Sequence, residues 1–517
     1  MGIEGLWKVV EPAMERVDFT AFLINHVPPS PPNRRGYYRL GVDVSVWLRQ
    51  CCAPFQRAHA QAGQNPELRT FYYRLVDLFV RPVAVVFVVD GPGRPTIKRG
   101  TRVIPKPHWL TAGAKDLVDA FGFDWIEALG EAEAELASMN AQGVIDGVMS
   151  DDSDALVFGA RIVIRNLPKK KSRVKVDTLS ENKMPPPGDL LLVAVLAGSD
   201  YSKGLEGCGI KTALGLARYG LGTSLLSQAW DAVYTGDGYR LPLDEWRDSL
   251  RYYLHHDPDG YVGRQNVVLA ASVADDFPDI DVVMAHVRPL TTGGDCIPLD
   301  AEFGRSARFR VARIGQLCDK FFSWDAKKMA DKMVKSVWPG VVMRLLGAEK
   351  HGLDWAEHQI SKDDCNLILD SIESVKTRTR TATGYMERRL TVNISPIRDA
   401  TFSLLPSSPN ATPKSSTLTT WVPASVIAEN RVSKARVHRD TSHRNASHLP
   451  DPARSSLAPS SPLRFSPSML QPSLSPSPPP PSSLLAEYML PRPQPSHIID
   501  LTGNDNDDEG VIDLTLD

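Results

Sequence analysis

Residues 83–90 read VAVVFVVD, which is seven apolar residues in a row followed by an acid. An apolar run of this length, bounded by polar residues, predicts a strand buried on both faces, as the central strands of parallel sheets are. From about residue 40 to 230, short apolar runs alternate with segments of helical periodicity. The further predicted elements are strands at 40–44, 147–150 and 161–165 and helices at 111–121 and 131–141. This alternation predicts an α/β fold with a mostly parallel, twisted sheet flanked by helices.

The chain of 517 residues is too long for one compact core, and its pattern changes after the α/β segment. Mostly helical periodicity follows, with Trp230, Trp246, Tyr252 and Tyr253 as expected packing residues. Residues 374–394 alternate β-branched and charged residues around a glycine, which predicts a small hairpin module. Beyond residue 405, serine and proline dominate, and such a composition cannot form a core.

Five divisions of the chain are therefore expected. They are 1–100 and 101–225 for the two parts of the α/β core, 226–345 for a helical extension, 346–405 for the small module, and 406–517 for a disordered tail.

Composition and charge exclude several classes of protein. The formal net charge of −2 argues against a uniformly basic coat, so any polyanion site must be a local patch. The six cysteines lack the spacing of a zinc site and are interpreted as reduced and structural. Because there is no charged-then-apolar leader and no apolar run of about 20 residues, we expect no membrane association and no secretion.

Acidic residues recur at the ends of the predicted elements. They are Asp43, Asp90, Glu131, Glu133, Asp151, Asp152, Asp154 and Asp200. Each acid alone has an ordinary alternative, because Asp caps turns and helices and Glu is favoured near a helix N-terminus. Glu131 and Glu133 would point about 200° apart on one regular helix, so they share a site only if Glu131 precedes the first turn. Together these acids predict a site for Mg²⁺ or Mn²⁺, and two ions about 4 Å apart would suit phosphodiester hydrolysis.

Several of these stretches occur in an order that resembles the flap endonuclease/XPG superfamily of structure-specific DNA nucleases. They are MGIEGLW, VFVVDGP, GEAEAELA, SDDSDALVFG and AGSDY followed by GLEGCGIKTAL, over about residues 1–290. The resemblance implies a PIN-like nuclease core that uses two Mg²⁺ ions, with Mn²⁺ as a substitute. The metal-site carboxylates that it implies are Asp43, Asp90, Glu131, Glu133, Asp152, Asp154 and Asp200, whereas Asp151 falls outside the pattern.

The same resemblance implies residues that contact DNA. Gly2 becomes the processed N-terminus beside the active site, and Lys98 and Arg102 act in catalysis by contacting phosphate. The local segment differs by about one residue from the usual pattern, so Arg99 could replace either basic residue. The alternatives are a flexible chain end for Gly2 and ordinary solvated side chains for the others.

A glycine-rich segment after AGSDY resembles a helix–two-turn–helix element that binds the duplex backbone, often with a bound K⁺. Its expected contact residues are Gly207, Gly209, Lys211 and Thr212. Glycines let backbone N–H groups approach a phosphate, and the N-terminus of the next helix favours an anion.

Within the superfamily, three details resemble the eukaryotic, fungal-like Holliday-junction resolvases. Asp90 and Glu131 are only 41 positions apart, which leaves little room for a long arch that threads a free DNA end. The sequence of residues 127–167 is similar to the corresponding segment of those resolvases, and the hairpin at 375–392 resembles the start of the chromodomain that they carry. The expected substrates are four-way junctions and 5′ flaps, with a second copy of the chain on a junction. The alternatives are a flap- or nick-directed repair nuclease without resolvase activity and a non-catalytic DNA-binding scaffold.

Other motifs concern partners and location. Two repeats at 498–502 and 511–515 predict SUMO binding through Ile498, Ile499, Leu501, Val511, Ile512 and Leu514. Ser395-Pro-Ile-Arg398 and Ser461-Pro-Leu-Arg464 are candidate sites for a cyclin-dependent kinase, although Ser/Pro-rich sequence produces such matches by chance.

The basic cluster at 168–175 is interpreted as a nuclear-import signal or a DNA-facing loop, and we expect the protein in the nucleus. The segment 316–322 resembles a sliding-clamp motif but carries Asp319 where an apolar residue belongs, so this reading is rejected.

Overall fold

The structure is a computed structural model. It describes residues 2–27, 37–55, 64–98, 100–103, 106–165, 175–235, 241–293, 309–352, 360–380, 384–405, 416–429 and 431. Arg99, residues 168–174 of the basic cluster, the kinase motif at 461–464 and both tail motifs at 498–502 and 511–515 lie outside these ranges. No helix within the ranges combines the length and the apolar character needed to cross a membrane.

Three sheets are formed by the described strands. The strands are β1 (Glu15–Asp18), β2 (Tyr38–Asp43), β3 (Val83–Val89), β4 (Ile97–Lys98), β5 (Thr101–Arg102), β6 (Asp124–Glu127), β7 (Gly147–Met149), β8 (Ile162–Arg165), β9 (Lys175–Ser180), β10 (Glu373–Thr379), β11 (Met386–Asn393) and β12 (Thr417–Pro423). The main sheet has the order β1-β9-β8-β7-β2-β3-β6. Its strands from β8 to β6 run parallel, whereas β9 and β1 are antiparallel to their neighbours. The predicted α/β fold with a mostly parallel sheet is confirmed.

The helices surround this sheet. They are α1 (Leu6–Val10), α2 (Phe19–Asn25), α3 (Val44–Cys52), α4 (Pro66–Phe79), α5 (Thr111–Ala120), α6 (Ala132–Ala141), α7 (Asp154–Val157), α8 (Pro187–Ala197), α9 (Ile210–Ala217), α10 (Leu221–Thr235), α11 (Asp244–His256), α12 (Val267–Ala271), α13 (Ile280–Val287), α14 (Val311–Phe322), α15 (Ala326–Lys335), α16 (Val337–His351), α17 (Lys362–Asp370) and α18 (Ser395–Phe402).

The predicted strands and helices of the α/β segment are all present, with ends displaced by at most two residues. The strand expected at 40–44 is β2, which begins two residues earlier, and Val44 is already the first residue of α3. The strands β1 and β6 were not predicted. β6 has the sequence DWIE, which contains no unbroken apolar run; its first three residues are partly buried and Glu127 is exposed. It pairs with β3 in parallel and so places β3 second from the edge of the sheet.

The interior consists of two apolar clusters, one on each face of the sheet, and β3 contributes side chains to both. Val85 and Phe87 belong to the first cluster, and Val86 and Val88 belong to the second. Successive side chains of a strand point to opposite faces, so an unbroken apolar run serves both clusters. The first cluster contains α2–α5 and α14–α18, and the second contains α1 and α6–α13.

Residues 226–345, expected to form one helical extension, contribute to both faces of the sheet. Trp246 of α11 is buried in the second cluster, whereas Trp338 of α16 is buried in the first. Among the other expected packing residues, Trp230 and Tyr253 are half-buried. The expectation is wrong for Tyr252, whose residue surface is 51% exposed, because it lies on the outer side of α11.

The small module near the C-terminal end of the described chain packs on the first cluster. The predicted hairpin is confirmed as β10 and β11, and β12 adds a third strand to it. The prediction of disorder from residue 406 is wrong for residues 416–429, because Leu418 and Val422 supply alternating apolar side chains to the core. On α18, the buried Thr401 hydroxyl accepts a hydrogen bond from Trp338 Nε1 at 3.0 Å.

Candidate active site

The carboxyl edge of the main sheet gathers the predicted acids. Asp43 ends β2 and pairs in register with Val88, one residue before β3 ends, so Asp90 emerges beside it. Met149, the last residue of β7, pairs with Val42, which brings the segment that begins at Ser150 to the same edge. Five of the acids are almost fully buried: Asp43, Glu131, Glu133, Asp152 and Asp154. Parallel strands that end together therefore place these acids as the sequence pattern predicts.

The position of Glu131 settles the question raised by its spacing from Glu133. Glu131 precedes α6 with an extended backbone (φ −89°, ψ 141°), so it is not part of the regular helix. Both side chains reach Lys98, with Glu133 Oε1 at 3.7 Å from Lys98 Nζ and Glu131 Oε1 in direct contact with it. Asp200, which follows α8, also lies 3.3 Å from this ammonium.

Asp43 serves the fold and the site together. Its Oδ1 accepts the backbone N–H of Val46 at 3.1 Å and so caps α3, as the ordinary structural interpretation requires. Its Oδ2 accepts the hydroxyl of Ser150 at 3.2 Å. The capping role does not remove Asp43 from the acidic cluster, because the side chain stays at the sheet edge.

The chain near its N-terminus packs directly on the acids. The backbone N–H of Ile3 donates to Asp154 Oδ1 at 3.1 Å. Gly2 has a φ of +74°, and a Cβ atom there would lie 2.3 Å from Asp152 Oδ1 and 2.3 Å from Ser153 Oγ. Any larger residue at position 2 would therefore collide with the acidic cluster.

The electrostatics of this edge favour a bound cation. Burial, followed by repulsion from Asp90, raises the pKa of Asp43 to about 7. The pKa of Glu133 is raised by burial and then by Asp43, and burial also raises the pKa of Asp152. Burial and then the neighbouring Asp152 raise the pKa of Asp154. Positive charge among these carboxylates would relieve both effects.

Lys98 supplies that charge in this structure. It lies on β4, in a two-stranded ribbon with β5, and its ammonium sits among Glu131, Glu133 and Asp200. Burial lowers its pKa, but attraction to Glu133 and Glu131 outweighs burial, so the pKa is raised. Among the described residues, no three acids converge as ligands of one ion. The donor set itself, made of buried carboxylate oxygens, fits Mg²⁺ or Mn²⁺ once Lys98 withdraws.

Two of the other candidate residues lie apart from the cluster. Arg102 is exposed on β5 and is not among the described side chains that contact the acids. Asp151 accepts a hydrogen bond from Gln50 Nε2 at 2.5 Å and lies 3.3 Å from Arg165 Nε. Its partners hold it away from the cluster, in agreement with its place outside the motif.

Sequence reasoning missed several residues that contact the acids. Tyr201 donates its hydroxyl to Glu131 Oε2, and Ser45 Oγ donates to Asp90 Oδ2 at 2.8 Å. A separate contact that involves none of these acids lies on the same helix, where the buried Glu135 accepts the backbone N–H of Thr292 at 3.0 Å. The only signal for Tyr201 was its place directly after Asp200 in AGSDY. The contact between Glu135 and Thr292 spans 157 positions, which no local pattern reveals.

The glycine-rich segment forms two tight turns between α8 and α9. Leu205 N–H donates to Leu196 O at 2.9 Å, and Cys208 N–H donates to Leu205 O at 2.9 Å. Gly204 (φ +73°) passes so close to α8 that a Cβ atom would lie 2.5 Å from Leu196 O. Around Gly209 a Cβ atom would meet nothing within 4 Å, so the backbone at the start of α9 is open.

The candidate DNA-contact residues surround this opening. Gly207 has a φ of +87° and Gly209 immediately precedes α9, with Lys211 exposed and Thr212 half-buried in its first turn. The arrangement is that of the expected helix–two-turn–helix element.

A mixed sheet with acids at its carboxyl edge, followed by a two-turn hairpin, has the architecture of an α/β nuclease core. Residues 1–104 match the XPG N-terminal domain, and residues 122–200 match the XPG I-region. Over these two stretches the chain is similar to the flap endonuclease/XPG superfamily.

The curated relatives are similar over part of their length. The human protein named flap endonuclease GEN homolog 1 is 29% identical over 255 residues, which is 44% of this chain and 26% of that protein. Single-strand DNA endonuclease 1 of rice (Oryza sativa subsp. japonica) is 28% identical over 370 residues, which is 63% of this chain and 52% of that protein. The matched region thus spans about a quarter to a half of these relatives.

Solved structures share the fold. The eukaryotic junction-resolving enzyme GEN-1 with bound cesium has 25% sequence identity and a TM-score of 0.62, with 86% of this chain and 100% of that chain covered. The Holliday junction-resolving enzyme GEN1 in complex with product DNA and Mg²⁺ has 24% identity and a TM-score of 0.63 over the same shares.

Proposed function

We propose that the protein is a Mg²⁺-dependent, structure-specific DNA endonuclease that cuts branched DNA, resolving four-way junctions by paired incisions and also cleaving 5′ flaps. The observation that carries this proposal is the buried acidic cluster at the sheet edge, next to an open two-turn hairpin. The residues that would hold two metal ions, directly or through water, are Asp43, Asp90, Glu131, Glu133, Asp152, Asp154 and Asp200. Metal ions held there would activate water and stabilise the leaving oxygen.

The chain's own groups would then position the DNA. The open backbone from Gly207 to α9, with Lys211, suits a phosphate of one duplex arm, because a helix N-terminus and a lysine both attract an anion. Lys98 would exchange its contacts with the carboxylates for a contact with the phosphate to be cut. Gly2 would keep the chain near the N-terminus close to this position without blocking it. The exposed Arg102 would hold a phosphate nearby.

The short connection between Asp90 and Glu131 supports a junction as substrate. The connection between Asp90 and Glu131 includes α5, which packs into the first cluster through Ala114, Leu117 and Val118 and therefore cannot form an arch over the acids. Beside the acids, the described part of this connection forms only the short ribbon of β4 and β5. An intact junction has no free end to thread, so a site without a long arch suits it.

Paired incisions require two active sites. One site makes one nick, and a second copy of the chain, bound across the approximate two-fold axis of the junction, would make the other. The similar enzyme GEN1 is described as Holliday junction-resolving and was solved with product DNA. This supports a four-way junction as the substrate.

A plasmid that extrudes a cruciform tests the proposal. Paired cuts within one binding event yield linear DNA, whereas independent cuts release nicked circles. We expect linear product in Mg²⁺, with Mn²⁺ as an active substitute. Accumulation of nicked circles at saturating protein, with flaps still cut, would support the flap-nuclease alternative. Junction binding without any cleavage would support the non-catalytic scaffold.

A monovalent ion is a further part of the proposal. Backbone carbonyls of the two turns between α8 and α9 would hold K⁺ beside a DNA phosphate. The junction-resolving enzyme GEN-1 has been solved with potassium and with cesium, which supports the binding of a monovalent ion. Replacing K⁺ by a large organic cation should weaken junction binding while leaving the Mg²⁺ requirement unchanged.

Regulation through the C-terminal sequence is proposed from motifs alone. SUMO would add its sheet edge to the repeats at 498–502 and 511–515, and deletion of residues 496–517 should abolish that binding. A cyclin-dependent kinase would phosphorylate Ser395 and Ser461, and the added negative charge should weaken DNA binding. Action on chromosomal junctions would place the protein in the nucleus, which microscopy of the tagged full chain can check.

A further inference from the structure

Glu131 depends on its neighbours for its orientation. It stands in extended backbone just before α6, and its side chain makes no capping hydrogen bond. Asp90 takes that role instead, since its Oδ1 accepts the N–H of Ala132 at 3.0 Å. The first turn of α6 therefore does not fix the Glu131 carboxylate. Its Oε1 contacts Lys98, and its Oε2 accepts the hydroxyl of Tyr201.

Tyr201 is itself held by its own turn and by a ring from another helix. Its backbone N–H donates to Ser199 Oγ at 3.3 Å, and Ser199 N–H donates to Ser202 O at 2.9 Å within the same turn. The tyrosine ring meets the ring of His286 at a centroid distance of 4.8 Å and an angle of 78°. This edge-to-face contact limits rotation of the tyrosine ring.

His286 links two of the elements that carry site acids. It lies on α13, is 5% exposed, and its Nδ1 is 2.8 Å from Val282 O. Because a carbonyl only accepts, Nδ1 carries the hydrogen and the ring is fixed. The ring of His286 also stacks on the ring of Phe158, with 6.1 Å between the ring centroids and 22° between the ring planes. Phe158 directly follows the helix that begins at Asp154. Rotation of His286 would therefore disturb both this helix and the turn that contains Tyr201.

We propose that Tyr201, kept in place by His286, is a positioning residue that orients the Glu131 carboxylate for metal binding. The hydroxyl occupies Oε2 and leaves Oε1, the atom now against the Lys98 ammonium, for a metal ion. This inference rests on the proposed function, because it assumes that the acidic cluster binds Mg²⁺. Hydrogen bonds that orient a ligand in this way typically change metal affinity by roughly 10- to 100-fold when they are removed.

Titration of the full chain with Mn²⁺ in the absence of DNA tests the proposal. Tyr201→Phe removes the hydroxyl and keeps the ring against His286, so Mn²⁺ affinity should fall by about 10-fold or more. Tyr219→Phe is a matched control, since Tyr219 also donates its hydroxyl to a carboxylate, Asp257, at 2.8 Å but outside the site. The control should bind Mn²⁺ as the wild type does.

Cleavage supplies a second readout. For Tyr201→Phe, the Mg²⁺ concentration that gives half-maximal cleavage should rise in proportion, with an unchanged KM for the junction. His286→Phe keeps an aromatic ring but loses the hydrogen bond to Val282, so its effect should have the same direction and a smaller size.

Wild-type Mn²⁺ affinity in Tyr201→Phe, or an equal loss in Tyr219→Phe, would overturn the proposal. A wild-type chain that binds Mn²⁺ but cuts no branched DNA would refute the proposed function alone, since the comparison of the variants still decides the role of Tyr201. A wild-type chain without Mn²⁺ binding would overturn both.

Discussion

Asp90 Oδ1 accepts the backbone N–H of Ala132 at 3.0 Å, so the acid that follows one strand caps the helix that carries Glu133. Asp43 does the same for α3 through Val46. These carboxylates thus have a structural role and a proposed chemical role at once. Asparagine keeps an acceptor oxygen and caps helices as well as aspartate does, but it lacks the charge. Substitution by asparagine therefore separates the two roles.

Asp43→Asn should remove cleavage and preserve the fold. We expect a loss of at least about a thousandfold in rate, or roughly 4 kcal/mol of transition-state stabilisation. Junction affinity should stay near that of the wild type, because the two-turn hairpin is unchanged. Asp152→Ala should have the same effect on the rate.

Asp151→Asn is the control for both variants, since Asp151 is held by Gln50 and Arg165 outside the cluster. It should cut junctions at close to the wild-type rate, measured in single-turnover assays with Mg²⁺. Wild-type rates from Asp43→Asn would remove the basis for the proposed metal site.

Lys98 and Arg102 lie on paired strands but should behave differently. Lys98→Gln removes the ammonium that competes for Glu131 and Glu133, so Mn²⁺ binding without DNA should tighten several-fold while cleavage falls. Arg102→Gln should leave Mn²⁺ affinity unchanged and raise the KM for DNA, because this side chain is exposed. Calorimetry and steady-state kinetics measure the two effects. Identical metal affinities in all three proteins would show that Lys98 does not compete with the ion.

Lys211→Ala should weaken junction binding without a change in the bound-state cleavage rate. Loss of one phosphate contact should lower the slope of log affinity against log salt by about 1. Lys335→Ala is the matched control, because Lys335 is exposed on α15, among the helices that pack on the opposite face of the sheet. An unchanged salt slope for Lys211→Ala would argue against the hairpin as the duplex contact.

His286 should make the protein sensitive to acid. Burial lowers the pKa of His286 from 6.5 to about 4, so the folded protein keeps the ring neutral while the unfolded chain takes up a proton. Stability should therefore fall as the pH drops from about 6.5 to 4, by about 3 kcal/mol from this residue. His286→Phe should lose less unfolding free energy than the wild type between pH 7 and pH 4, as measured with urea. Equal losses in the two proteins would contradict this assignment.

Much of the site was predictable because its acids follow recognisable strands. The carboxyl end of β3 was clear from VFVVD, and the register of parallel strands then brings Asp43 to Asp90. The backbone at Glu131 was not predictable, because spacing alone leaves the start of a helix uncertain. Tyr201 and His286 were missed for another reason: their contact joins positions 85 apart and depends on how α13 packs.

The errors in the fold have the same origin. Ser/Pro-rich composition predicted disorder across residues 416–429, yet the alternation of Leu418, Thr420 and Val422 is sufficient for a strand once β11 offers an edge to pair with. Tyr252 was expected inside because it is aromatic, but the side of α11 that faces the core is set by Trp246, Leu250 and Leu254. Aromatic content alone does not identify the buried side of a helix.

The hydrogen bond from Trp338 to Thr401 and the close approach of Gly315 to the backbone of Thr401 join α14, α16 and α18 in one interior. Leu390 and Val422 of the small sheet share that interior with Phe79 and Phe87, which pack on the main sheet. A chain cut at residue 345 would consequently expose apolar surface on this face of the main sheet. The small sheet and the main sheet should therefore melt in a single cooperative transition, and a minimal protein for crystallisation or engineering would have to extend to about residue 431.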